Sequence, residues 1–304
     1  MEWGSIRDWE AWEELVSHCY LELGEAPSEQ PVFLTESQIS PFESRSRVLT
    51  TMFETFDVPA FFMASQSVLA LYASGRLEGT IVNIGEGETE IVPFIHGEGI
   101  HLKHAATTYE LSGRDVTEYL SMLLGKERNL HFYTKAAREL IRDMKEHLCY
   151  VPLDFEAENA RAQRATKKFY EVSYQLPSKQ FIEVGSERFL APEIFFRPLV
   201  DVVGIHQKIF EVIQKCDLDA RGTLYNDIIL AGGSTMIKGF GERLERELKI
   251  LAPNAPIQVH QIPHRHYLAW QGYYLNYYLI LFFNLFVINL YLFISLFFLF
   301  LFSF

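Results

Sequence analysis

The stretch "DIILAGGSTMIKGFGERLEREL", residues 227–248, constrains the chain more than any other. Ile228, Ile229, Leu230 and Ala231 make an apolar run of strand length. It meets Gly232-Gly233, then Ser234 and Thr235, then a charged helical pattern over 240–250. A buried strand joined to a helix through bare backbone belongs to an α/β layered domain. The bare backbone has two explanations. Either neighbouring chain packs against it, or a phosphate or ring comes closer than a Cβ allows.

The rest of the chain supports that class. Trp9, Trp12, Leu15, Val16, Cys19 and Tyr20 are spaced for an amphipathic helix over 9–24. "PVFLTES" (31–37) reads as a short strand. Residues 43–56 read as a second helix, and Pro59 permits a third over 60–73 that ends near Gly75. "GTIVNIGEGETEIVPFIHG" (79–97) is a hairpin, with two β-rich runs around Gly85-Glu86-Gly87. Ser112 to Asp115 is a capping-box pattern opening a helix at 113–124. Thr134 begins another, with Ala137, Leu140, Ile141, Met144 and Leu148 on one face. A polar stretch at 157–170 reads as a surface loop or solvated helix, and 170–193 as strands turning at Pro177. A helix at 205–215 and a last strand at 257–263 complete the pass.

The chain has 304 residues and a net charge of −12, which argues against a nucleic-acid footprint. Cys19, Cys149 and Cys216 are odd in number and far apart, so they fit neither a disulfide framework nor a zinc site. Met1-Glu2-Trp3 opens without the basic and apolar regions of a signal peptide. After Gly272 the character changes. Residues 273–304 hold nine Leu, nine Phe, five Tyr and three Asn, with no charge and no Gly, Ala or Pro. Length and hydropathy suit a membrane helix, but such helices pack through small residues that are missing here. These amino acids are largely those of A/T-rich codons. Three readings stand: translated non-coding sequence, a C-terminal membrane anchor, or a soluble tail.

Either glycine turn alone is weak evidence for a ligand, since glycines make turns. No GK[ST] follows, so neither is a Walker loop, and 85–87 closes a hairpin and so cannot open a dinucleotide-binding helix. The pair means more. An acidic, glycine-bearing hairpin and a strand–Gly-Gly–Ser/Thr–helix unit some 145 residues later can grip a nucleotide from two sides.

Here the sequence resembles the actin family. The resemblance is carried by "MFETFDVPAFFMASQSVLALYASGR" (52–76), "GRDVTEYL" (113–120), "RELIRDMKEHLCYVPLDFE" (138–156), "ILAGGSTMIKGFGERLERELKILAP" (229–253) and "YLAWQG" (267–272). It covers about residues 6 to 272 without a large gap. It implies an α/β, actin-like ATPase fold of ribonuclease H-like duplicated layers, incomplete in the first subdomain. Residues 1–73 would be the remainder of that subdomain, 74–109 and 202–272 the third-subdomain-like nucleotide-binding core, 110–201 a fourth-subdomain-like insertion, and 273–304 a tail that is not actin-like.

The resemblance also implies ATP or ADP, with Mg or Ca, in a cleft between the halves. Gly85, Glu86, Gly87 and Thr89 match the second phosphate loop. Arg142, Lys145 and Glu146 match the segment framing ribose and adenine; their spacing places them on one helix face. Gly232, Gly233, Ser234, Met236 and Ile237 match the loop over base and phosphates. Gln66 matches the glutamine that orients the attacking water. No residue is assigned as a direct metal ligand.

The departures imply weakened binding and slow hydrolysis. The phosphate loop begins with Asn83 where the family has Asp, and Glu86 replaces another Asp. Glu90 replaces a histidine near the attacking water, which would place an acid near the γ-phosphate. His266 replaces a lysine near the adenine, and Ile237 a tyrosine. About seventy N-terminal family residues, including the first phosphate hairpin, have no counterpart. The apolar helix faces bearing Trp9/Trp12 and Phe61/Met63 would then lack cover, which favours aggregation or an obligate partner.

The resemblance implies an ATP-binding cytoskeletal protein of the cytoplasm. It would be a nucleotide-regulated filament or complex subunit, with actin-family subunits or actin-binding proteins as partners. The alternatives are a non-hydrolysing actin-related scaffold and a non-functional gene fragment. A membrane enters only if the tail is real.

Overall fold

The computed structural model describes residues 6–95, 100–102, 104–128, 134–164, 170–177, 179–199 and 201–274. The tail from 275 onward lies outside the described residues. In chain order the first elements are α1 (Trp9–Leu23), β1 (Val32–Glu36), α2 (Phe42–Thr50), a π-helical turn (Thr51–Thr55), β2 (Phe61–Ser65) and α3 (Gln66–Ala73). Then come β3 (Gly79–Ile84), β4 (Thr89–Ile95), β5 (Ile100–His101), β6 (Thr107–Tyr109), α4 (Gly113–Arg128), α5 (Lys135–Leu148) and α6 (Phe155–Arg164). The chain continues through β7 (Val172–Gln175), β8 (Phe181–Val184), α7 (Glu187–Leu190), α8 (Ile205–Gln214), α9 (Arg221–Asn226), β9 (Ile228–Ala231), α10 (Phe240–Leu251) and β10 (Val259–His260).

The main sheet runs β10-β9-β3-β4-β5, with β6 also paired to β4. The contacts β10–β9 and β9–β3 are parallel; β3–β4 is antiparallel. Both faces are covered, which is why its strands read as nearly unbroken apolar runs. Alternation divides the side chains between two cores. Val82, Ile84, Ile91, Ile228 and Leu230 enter the larger one with α4, α5, α8 and α10. Ile81, Val92, Phe94, Ile229 and Ala231 enter the smaller one, closed by Ala70 and Leu71 of α3 and by Leu268.

A third cluster lies in the N-terminal region. Val48, Met52, Phe56 and Val58 are buried there, with Trp9, Trp12, Phe61 and Met63 half-buried against them. This corrects two expectations. Residues 60–73 are not one helix: Phe61–Ser65 is a strand in parallel register with β1, Val32 opposite Phe61 and Glu36 opposite Ser65. Phe61 and Met63 are therefore strand neighbours on one side, and they find cover in the α2 and π-turn cluster, as do Trp9 and Trp12. The exposed ring is Phe62, on the opposite side of the strand, at 58%. It lies 5.5 Å from Phe33, which stacks in turn on Tyr273 at 4.3 Å. Leu15 and Cys19, placed on the buried stripe of α1 by their spacing, face solvent.

Most other boundaries agree with the sequence pattern. The last strand shrinks to Val259–His260. The short elements β5, β6 and α9 had no sequence signal. The 157–170 stretch contains α6. Among the described residues, no helix is long and apolar enough to cross a membrane.

Candidate functional site

The β3–β4 turn, the start of α4 and the Gly-Gly turn after β9 meet at one place. Gly85 N–H closes the hairpin on the Glu88 carbonyl at 2.8 Å. The first amides of α4 then bond to the turn: Gly113 N–H to Gly85 O at 2.9 Å, and Arg114 N–H to Glu86 O at 2.7 Å. The Ser234 hydroxyl donates to the same Gly85 carbonyl at 3.0 Å. A Cβ on Gly113 would lie 2.3 Å from Ser234 Oγ and would push that hydroxyl from its place at the junction.

Gly232 and Gly233 divide the two explanations of bare backbone between them. Gly232 has φ 86° and ψ 155°, and a Cβ there would lie 2.3 Å from the Ile84 carbonyl oxygen. It is a packing glycine. A Cβ on Gly233 would meet nothing within 4 Å, and Gly233 lines open space.

That space is two adjoining cavities sharing Glu86, Gly233 and His266. One, of about 370 Å³, is lined by Arg142, Lys145, Glu146, Ser234, Met236 and Ile237 as well. The other, of about 430 Å³, adds Gln66, Asn83, Gly85, Gly87, Gly232 and Arg114. Every residue expected at the site therefore lines one of the two, except Thr89 and Glu90. Thr89 is fully buried at the start of β4, and its hydroxyl donates to the Leu111 carbonyl at 2.7 Å. Glu88, Arg114 and Arg265 also line the second cavity and were not singled out from the sequence. Glu88 lies in the turn just before β4, and its place next to Gly87 was the only signal for it in the sequence.

Lys145 is 3% exposed and fully bonded. Its ammonium donates to Glu86 Oε2 at 2.8 Å, Gly113 O at 3.0 Å and Thr117 Oγ1 at 2.9 Å. It ties α5 to the hairpin turn and to α4. Arg142, one turn earlier, is half exposed and pairs with Glu139 at 2.6 Å and more loosely with Glu146 at 3.9 Å. Arg114 makes no ion pair among the described residues, so a guanidinium stands free in the second cavity. Arg265 is buried; it donates to Thr235 Oγ1 at 3.0 Å and Thr235 O at 2.6 Å, fixing the Gly-Gly turn. Burial holds its pKa below the usual arginine value.

The main-chain donors matter most. The N–H groups of Glu86, Gly87 and Glu88 reach no protein acceptor among the described residues. Neither do those of Gly233 and Ser234, which begin a 3-10 turn. Orphan N–H groups on both sides of a cavity, with no Cβ at Gly87 or Gly233, suit an anion with several oxygens.

Gln66 lines the second cavity and also the hollow beside Thr35 and Ser37. It accepts from Asn83 Nδ2 at 3.4 Å and donates to Thr35 Oγ1 at 3.5 Å. The expectation for Glu90 is corrected. Its carboxylate is 2% exposed and turned from the cavity, bonded to Ser37, Gln38 and Ser67. The acid on the cavity wall is Glu88, whose pKa is pushed up to about 7 by burial and then by the charge of Glu90, against a Ser37 bond that lowers it. Among the described residues no group of three or more His, Cys, Asp or Glu side chains is arranged to hold a metal ion.

Compared with protein families, the chain matches the family model described as Actin over residues 1–273.

Proposed function

The chain belongs to the actin family, whose members generally bind nucleotide with a divalent cation, and from that premise we propose that it is an ATP-binding subunit of a cytoskeletal filament or complex. The observation that carries this reading is the two sets of orphan amide groups, 86–88 and 233–234, on residues that line the two adjoining cavities. In this reading those amides and Arg114 hold phosphates. Arg142, Glu146, Met236, Ile237 and His266 frame the base and ribose in the adjoining cavity. Lys145 fixes α5 against the hairpin turn and α4. In this reading residues 74–109 and 202–272 are the third-subdomain-like nucleotide-binding core, 1–73 the remainder of the first subdomain and 110–201 a fourth-subdomain-like insertion.

Among the described residues no cluster of His, Cys, Asp or Glu side chains makes a cation site of its own. Asn83 offers a neutral amide, and Glu86 is committed to Lys145. A divalent ion that enters with the nucleotide would be held by its phosphates, and no step is assigned to it here. The partners this reading implies are actin-family subunits and actin-binding proteins, in the cytoplasm.

Equilibrium binding of Mg·ATP tests the reading. Wild type should bind at micromolar to millimolar nucleotide, and Lys145→Met should lose about tenfold or more, since the hairpin turn and α4 lose their tie to α5 and Glu86 is left on the cavity wall without its cation. No binding at millimolar nucleotide would sink the proposal.

A second reading, an actin-related scaffold with little turnover, is favoured by Asn83. Its amide touches Gln66, the residue expected to orient water. Asn83→Asp should raise ATP turnover if the missing carboxylate limits it. Unchanged turnover would remove that explanation.

A further inference from the structure

Ser37 has one hydroxyl proton and faces two carboxyl groups. Its Oγ lies 2.9 Å from Glu88 Oε1 and 2.5 Å from Glu90 Oε1. Counting donors and acceptors assigns the protons. Glu90 receives the Ser37 hydroxyl, the Gln38 N–H at 2.7 Å and the Ser67 hydroxyl at 3.0 Å. Three donors favour the ionised form of a carboxyl group. Ser37 has then spent its proton and keeps two acceptor positions. One takes the Ile39 N–H at 3.3 Å. The other faces Glu88, and that contact is attractive only when Glu88 carries a proton and donates it. An ionised Glu88 would set oxygen lone pairs against oxygen lone pairs, beside the charge of Glu90.

Glu88 is also a wall residue on two sides. It lines the second cavity with Gly85, Gly87, Gly233 and Arg114. On its other side is a hollow of about 180 Å³ shared with Ser37, Gln66 and Arg45. We propose that Glu88 is a proton-controlled specificity residue of this cavity, which admits a polyphosphate when Glu88 is the neutral acid and repels it when Glu88 is the carboxylate.

The proposal rests on the nucleotide reading above. The groups around Glu88 set its sign. Glu90 stands beside it on β4. Glu36 ends β1, held by Arg45 of α2 at 2.7 Å. On the cavity side Arg114 opens α4 and Glu86, Arg265 and His266 line the same wall space, while Gln66 of α3 and Ser37 are neutral. Burial and then Glu90 raise the Glu88 pKa to about 7, and a Ser37 hydroxyl turned to Glu88 instead of Glu90 acts to lower it. Raising the pH through that value adds a negative charge to the cavity wall, so polyphosphate affinity falls.

The test is Mg·ATP affinity of the full chain at about pH 6 and about pH 8, for wild type and Glu88→Gln. Glutamine can donate its amide to Ser37 as the neutral acid does. Wild type should lose about tenfold in affinity across that range, and Glu88→Gln should lose much less. Other pH-dependent groups, of the cavity and of the nucleotide, are common to both proteins and cancel in the comparison. Equal losses in both would overturn the proposal. So would a ¹³C carboxyl titration of ligand-free wild type in which no glutamate titrates near neutrality, a result independent of how the variant folds. Absence of Mg·ATP binding at both pH values, with a glutamate titrating near neutrality that is lost in Glu88→Gln, would overturn the nucleotide reading and its use here. The shared proton would then be left without a ligand to control.

Discussion

An alanine at 232 would put its Cβ 2.3 Å from the Ile84 carbonyl oxygen, at a φ of 86° that side chains rarely adopt. Gly232→Ala should therefore cost about 3 kcal/mol or more in urea unfolding. Gly233→Ala has open space around it. It should change stability by less than about 1 kcal/mol while weakening Mg·ATP binding, because its methyl group intrudes where an anion would approach the amide. Equal stability losses would contradict the division of roles. The sequence showed that two glycines follow a buried strand, but not which one packs, since that depends on an Ile84 carbonyl reached from another strand. Thr89 shows the same limit. It belongs to the right loop by pattern, and only the pleat of β4 turns its hydroxyl to Leu111. Glu90 was misread for a related reason. Its partner Ser37 lies more than fifty residues earlier, brought close by folding.

At the scale of elements, legibility followed self-sufficiency. The β3–β4 hairpin, α4 and α5 carry their own signals: alternation, turn glycines and the N-caps. Asp115 accepts from the Ser112 amide at 2.7 Å, as its capping pattern implied. Phe61–Ser65 carries no such signal. Its strand state comes from pairing with β1, a tertiary contact that overrides local pattern. A parallel pair of only two strands, with Phe62 exposed on one side, has little to hold it shut. Hydrogen exchange should rank the two sheets. Amides of β3, β4 and β9 should exchange slowest, and those of β1 and β2 at least about tenfold faster. Equal protection would mean that the N-terminal pair is held by more than the contacts described.

Among the described residues, exposed large apolar side chains occur along the chain, Leu199, Leu218 and Trp270 among them, and the N-terminal region holds a group of them. Leu21, Leu23, Phe42 and Phe62 are 76%, 72%, 78% and 58% exposed, all in the N-terminal region. Scattered apolar residues are normal, but a concentration of large ones marks a surface for association. Sedimentation velocity should show concentration-dependent self-association that Phe42→Ser with Phe62→Ser reduces. A monomer at all concentrations would count against it, and a net charge of −12 works in the monomer's favour. The α/β class was legible from strand and helix order. The strand order was not, because β9 inserts beside β3 from far along the chain, which no local pattern encodes. That insertion also sets a clock. Ile81 meets its partner Ile229 about 150 residues later, so a ribosome adding ~5–20 residues per second leaves that side of β3 open for about 7–30 s. During each round of synthesis the backbone of Thr80 to Asn83 is a bare sheet edge waiting for its neighbour. Yield in the cell should then depend more on what shields the nascent chain in those seconds than on the stability of the finished fold.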